Sequence, residues 1–173
     1  MRKFFMILFV FVVFVSYSYA LKIKSKAIKN GEKIPIVFTC DGKDISPPLE
    51  FSEIPPKTKS LVLIMDDPDA PMGTWVHWVV YNIPPSTKEL QPDIPKKKTL
   101  KNGIIQGKNS WGKIGYGGPC PPKITGAHRY FFKLYAIDKK LNLFPGATKK
   151  EVLNAIKGHI IEQATLMGIY KRK

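Results

Sequence analysis

Trp75-Val76-His77-Trp78-Val79-Val80-Tyr81-Asn82-Ile83 is a run dominated by β-branched and aromatic side chains that stops at Pro84-Pro85. Residues of this kind fit a pleated surface, and a proline pair cannot continue a hydrogen-bonded ladder, so the run reads as one strand. Period-2 alternation puts Trp75, His77, Val79 and Tyr81 on one face and Val76, Trp78, Val80 and Asn82 on the other. Both faces are largely apolar, so the strand is expected to be covered on both sides. His77 is the exception: a buried imidazole needs hydrogen-bond partners.

Similar runs flank it. Ile34 to Phe38, Leu61 to Met65 and Tyr130 to Ile137 are short and apolar, and they are separated by turn-forming stretches at Pro47-Pro48, Pro55-Pro56, Pro68 to Gly73 and Gly115 to Gly126. No helical pattern lies between them to make parallel crossovers, which predicts a mainly β fold of two antiparallel sheets packed as a sandwich. One helix is predicted from Thr148, whose hydroxyl caps the first turn while Glu151 reaches back in a capping box. Val152, Ile156 and Ile160 would line its inner face, with His159 beside them as a packing or cap residue. Beyond Ile161, alternation at Ala164, Leu166, Gly168 and Tyr170 fits either more helix or a last strand.

The chain has 173 residues and a formal net charge of +15. Arg2 and Lys3 precede an unbroken apolar run from Phe4 to Val15, followed by Ser16, Ser18 and Ala20. This is the pattern of a secretory signal peptide over residues 1–20, cut after Ala20, which leaves a single domain over 21–173 and a periplasmic or secreted protein. Removing Arg2 and Lys3 from 28 basic residues leaves 26 against 13 acidic ones, a net +13. The lysines are scattered rather than gathered on a basic helix, which together with export argues against a nucleic-acid partner; they read mainly as solvated surface, with weak attraction to acidic ligands or an anionic lipid surface as a secondary reading. Cys40 and Cys120 are the only cysteines, and export permits a disulfide between them; two buried thiols are the alternative.

Chemistry concentrates at two places. Asp66, Asp67 and Asp69 crowd the end of the strand that precedes Trp75. They are either solvated turn formers or a carboxylate presented into a cleft. His128 and Tyr130, two residues apart on a strand, share a face and make a donor pair. The glycine-rich stretch Gly115 to Pro122 before them is expected to offer backbone N–H groups and room for an anion.

Asp67-Pro68-Asp69-Ala70-Pro71, His77-Trp78, Gly126-Ala127-His128-Arg129-Tyr130 and Gly117-Gly118-Pro119-Cys120-Pro121-Pro122 together resemble the phosphatidylethanolamine-binding protein family. Cys40-Asp41-Gly42 and Ser46-Pro47-Pro48-Leu49 are similar to its bacterial and archaeal, Raf kinase inhibitor-like branch. The resemblance implies a pocket for phosphate or a phosphorylated headgroup such as phosphoethanolamine. Asp67, His77, His128 and Tyr130 would line it, with Asp69 behind them and Pro71 and Pro122 on its rim. It also implies a possible homodimer, and inhibition of a peptidase as an alternative role.

The residues themselves favour a binding protein over an enzyme. No nucleophile elbow or P-loop is present, and nothing calls for a cofactor. An Asp67–histidine pair activating water is the hydrolytic alternative. Asp67, His77 and His128 as a metal site is a weaker one, because three dispersed ligands are little evidence for a metal.

Overall fold

Strand β3 (Ser60–Asp67) is buried at every position, as a strand covered on both faces must be. The computed structural model describes residues 20–172. In it β3 is the centre of a five-stranded antiparallel sheet. Its neighbours are β4 (Trp75–Ile83) and β7 (His128–Ile137), with β6 (Ile105–Gln106) outside β4 and β8 (Ile160–Tyr170) outside β7. A smaller antiparallel sheet of β1 (Lys22–Lys24), β2 (Leu49–Ser52) and β5 (Glu89–Leu90) packs on one face. Leu61, Leu63, Met65, Trp78 and Phe132 meet Ile23, Leu49 and Phe51 between the two sheets. On the other face Val62, Ile64, Val79 and Tyr81 pack under Leu141 and helix α1 (Lys149–Ile156). The two-sheet sandwich expected from the sequence is therefore present, with the helix on its outer side.

The capping box at α1 forms as expected: Thr148 Oγ1 accepts from Glu151 N, and Thr148 N donates to Glu151 Oε2 at 2.7 Å. The helix ends sooner than its apolar spacing predicts. Gly158 takes a left-handed φ of +78°, which reverses the chain at little cost for glycine. Ile160 consequently opens β8 and is 43 % exposed, so only Val152 and Ile156 line the helix core. His159 lies in the turn, where its Nδ1 meets Asp138 Oδ1 at 2.8 Å. The alternation from Ala164 to Tyr170 belongs to a strand paired with β7 along its whole length.

Ile34–Phe38, expected as a strand, is instead a short 3-10 turn over Ile36–Phe38 preceded by Pro35. Pro35 has no N–H for a ladder, and the segment uses Ile34 N to reach Ile169 O at the edge of β8. The export signal read over residues 1–20 lies, apart from Ala20, outside the described residues. No helix among the described residues is long and apolar enough to cross a membrane.

Cys40 and Cys120 form a disulfide with their Cα atoms 5.4 Å apart. Two hydrogen bonds run beside it, Cys40 N to Pro119 O at 3.1 Å and Tyr116 Oη to Phe38 O at 2.7 Å. Together they clamp the proline-rich loop after Gly118 onto the first third of the chain. The bridge spans 80 residues, and closing a loop of that length stabilises the fold by about 4 kcal/mol. Urea unfolding of the oxidised protein and of a Cys40→Ser/Cys120→Ser variant should differ by about that amount. Coincident unfolding curves would show that the bridge contributes no stability.

Candidate functional site

Three carboxylates at the end of β3 avoid one another by pointing in three directions. Asp66, fully buried, turns to the helix side and meets Lys133 Nζ and Lys149 Nζ. Asp67 turns to the opposite face, where its Oδ2 lies 2.7 Å from His128 Nδ1 while its Oδ1 accepts the Asp69 backbone N–H at 2.8 Å. Asp69 takes Arg129 as a fork, with Oδ2 on Nε at 2.9 Å and Oδ1 on Nη2 at 2.6 Å, and it also accepts the Arg129 backbone N–H. These hydrogen bonds, with the charge of the guanidinium, hold the Asp69 carboxyl down to about 2. Each acid thus has its own counter-group, as buried charge requires.

His77 reaches the same place through a β-bulge. Across β3 and β4, Met65 pairs with Trp78 but Asp66 pairs with Val76, which leaves His77 as the extra residue. A bulge of this kind breaks simple alternation and re-aims a side chain. The single face expected for Trp75, His77, Val79 and Tyr81 is therefore split. Val79 and Tyr81 pack under the helix, whereas the His77 ring sits edge-to-face with Tyr130 at 5.1 Å and with Trp111 at 5.1 Å. Its Nδ1 donates to Gly117 O at 2.7 Å, and Gly117 N donates back to His77 O at 2.9 Å. Burial, the largest influence, lowers the His77 pKa against the opposing pull of the Gly117 carbonyl and Asp67.

A cleft of about 300 Å3 opens over these groups. Asp67, His77, His128, Pro71 and Pro122 line it as the sequence reading expected. Tyr130, expected in the lining, is fully buried outside it against the His77 ring, and Asp69 also stands outside the lining with its carboxylate spent on Arg129. Burial and the nearby Asp67 charge push the Tyr130 phenol up, so it keeps its proton. Its Oη is sealed from solvent beside the Asp67 carboxylate but has no partner at ordinary hydrogen-bond geometry among the described residues, a condition shared by Trp75 Nε1. Among the described residues no group of three or more His, Cys, Asp and Glu side chains is arranged to hold a metal ion.

The glycine-rich loop plays a different part from the one expected. The Gly117 and Gly118 N–H groups are taken by His77 O and Asp44 Oδ1. A Cβ on Gly117 would fall 2.7 Å from the Trp111 ring, and one on Gly118 would fall 2.5 Å from Phe38 O. These glycines therefore admit protein atoms, and their close approach seats the histidine. Three further residues of the site escaped sequence reasoning. Trp75 and Trp111 stack edge-to-face at 5.4 Å on the cleft wall. Thr125 places its Oγ1 2.7 Å from His128 Nε2 and 2.9 Å from Pro122 O. The spacing Thr-x-x-His was the available signal for Thr125; nothing in the sequence shows that Trp111 folds back on His77.

A sequence model of the family described as phosphatidylethanolamine-binding protein matches residues 24–171. A UPF0098 protein of Aquifex aeolicus is 52 % identical over 163 residues, covering 94 % of this chain and 95 % of that protein. A solved phosphatidylethanolamine-binding protein homologue from Chlamydia trachomatis is 43 % identical with a TM-score of 0.82, over 90 % of this chain and all of that one. YbcL of Escherichia coli, described as a member of the mammalian PEBP family, is 33 % identical with a TM-score of 0.82, over 88 % and 99 % of the two chains. With its sandwich fold and a family match across almost all of the described residues, the chain belongs to the phosphatidylethanolamine-binding protein family.

Proposed function

We propose that the cleft of this exported protein holds a small oxyanion, such as phosphate or a phosphorylated headgroup, and that it binds this ligand without transforming it. The observation that carries the reading is the Tyr130 hydroxyl. It is a protonated donor, sealed from solvent, that packs behind the His77 ring of the cleft and has only the Asp67 carboxylate near it, with no partner at ordinary hydrogen-bond geometry among the described residues. A buried donor left unmatched costs about 1–3 kcal/mol, and an oxyanion that reaches it removes that cost. Asp67 is hydrogen-bonded by His128 through Oδ2 and by the Asp69 backbone N–H through Oδ1, so its lone pairs are engaged away from an entering anion. The net positive charge expected of the exported chain adds long-range attraction.

Around the head site the walls are apolar, with Trp75, Trp111 and Met72 at the mouth, and Met72 is 93 % exposed. A wall of this kind suits an ester carrying an apolar or zwitterionic group, whether free in solution or presented by an anionic lipid surface.

One observation favours a second reading, hydrolysis. Thr125 Oγ1, His128 and Asp67 form a hydroxyl–imidazole–carboxylate chain with both links at 2.7 Å, the arrangement that activates a nucleophile. Against it, Pro122 O offers the same hydroxyl a competing acceptor at 2.9 Å. Incubation with p-nitrophenyl acetate separates the two: the binding reading expects no burst and no acetyl adduct on Thr125 by mass spectrometry, and an adduct absent from Thr125→Ala would establish the hydrolase.

Titration calorimetry with phosphate and phosphoethanolamine tests the binding reading itself. Tyr130→Phe removes only the hydroxyl and should weaken binding about ten- to a hundredfold, matching the ~1.5–3 kcal/mol of a hydrogen bond to a charged group. His128→Ala leaves Asp67 unpaired and should abolish detectable binding. Equal affinities in wild type and Tyr130→Phe would contradict the assignment.

A further inference from the structure

The hydrogen bonds fix where the protons sit in the free site. A carbonyl oxygen only accepts, so the 2.7 Å contact with Gly117 O requires a proton on His77 Nδ1. A neutral His77 then presents Nε2 as a bare lone pair. His77 is 2 % exposed and lines the cleft, and Nε2 has no hydrogen-bond partner among the described residues. His128 cannot substitute as the donor, because both of its ring nitrogens are engaged at 2.7 Å, one by Asp67 and the other by Thr125. An oxyanion entering the cleft therefore meets a lone pair at His77, and two electron-rich atoms do not bind one another.

We infer that anion binding is coupled to the uptake of one proton at His77 Nε2, so that the site closes on its ligand as an imidazolium–oxyanion pair. This rests on the oxyanion reading above and adds to it the residue and the stoichiometry. The proton comes from solvent when the ligand is fully ionised, or from the ligand when it carries one; in either case the new N–H points at the oxyanion and no other bond changes. In the free protein, burial lowers the pKa of the ring and so favours its neutral form.

The groups around His77 fit this assignment. From β3, Asp67 and the more distant Asp66 act on it by charge and favour the imidazolium; Asp67 is hydrogen-bonded to His128, and Asp66 is paired with Lys133 and Lys149. From β7 come the Tyr130 phenol and His128. The loop on the third side contacts the ring through Trp111 and Gly117, and the nearby Tyr116 hydroxyl is turned away to Phe38 O. The anion thus adds the charge that draws the proton in.

Sulfate is the discriminating probe, since it remains a dianion throughout the range in which histidine titrates and brings no proton of its own. Calorimetry of the protein with sulfate, in two buffers of different ionisation enthalpy, reads the protons taken up per ligand. The expected uptake approaches one at about pH 7.5, and the affinity falls about tenfold per pH unit above neutrality. His77→Gln should take up none and lose the pH dependence. Imidazole 15N NMR of the unsubstituted protein gives the same answer without a variant: sulfate should move the His77 Nε2 resonance from the unprotonated to the protonated range. Sulfate binding with no proton uptake, or an uptake that survives in His77→Gln, overturns the inference while leaving the oxyanion reading intact. Failure of both sulfate and phosphate to bind overturns the two together.

Discussion

The 2.7 Å contact between Asp67 and His128 is the interaction on which the site depends. Both side chains are almost wholly buried, and a carboxylate or an imidazolium alone in that position would be expensive. Together, with the Asp69 backbone N–H on the second carboxylate oxygen, they form a satisfied pair that joins the end of β3 to the start of β7. Tyr130, two residues along β7, is thereby set against the His77 ring, and Thr125, three residues before His128, ties the proline loop to the pair. The disulfide holds the far end of that loop.

The remaining charges are arranged so that this pair stands alone at the cleft floor. Asp66 and Asp69, which flank Asp67 in sequence, are removed to Lys133 with Lys149 and to Arg129. The cleft consequently presents one hydrogen-bonded pair and an imidazole whose pKa burial lowers, with a phenol that keeps its proton packed behind that ring. On the function proposed here, such a site would recognise an oxyanion through hydrogen bonds rather than through a fixed positive charge.

Much of this was legible in the sequence, for reasons that can be named. β3 and β7 are long apolar runs bounded by turn formers, and β4 ends at a proline pair, so their existence and approximate limits followed from composition. His128 and Tyr130 share a face because their strand is regular. His77 could not be oriented in this way, since a bulge depends on the pairing of two strands and leaves no mark on one of them. Pro35 made a turn out of an apparent strand, and Gly158 ended a helix that its apolar spacing would have prolonged. The glycines at 117 and 118 were read as room for a ligand; the atoms they admit, from Trp111 and Phe38, come from segments distant in sequence. Local signals were reliable where the structure is local, and they failed where two distant segments meet.

The central claim is that the ligand's oxygens occupy the space between Tyr130 and His77. A crystal structure of the protein grown in phosphate tests it most directly. A tetrahedral anion should then occupy the cleft, with one oxygen within hydrogen-bond distance of Tyr130 Oη and another facing His77 Nε2. A cleft containing only water, with phosphate bound instead among surface lysines, would contradict it.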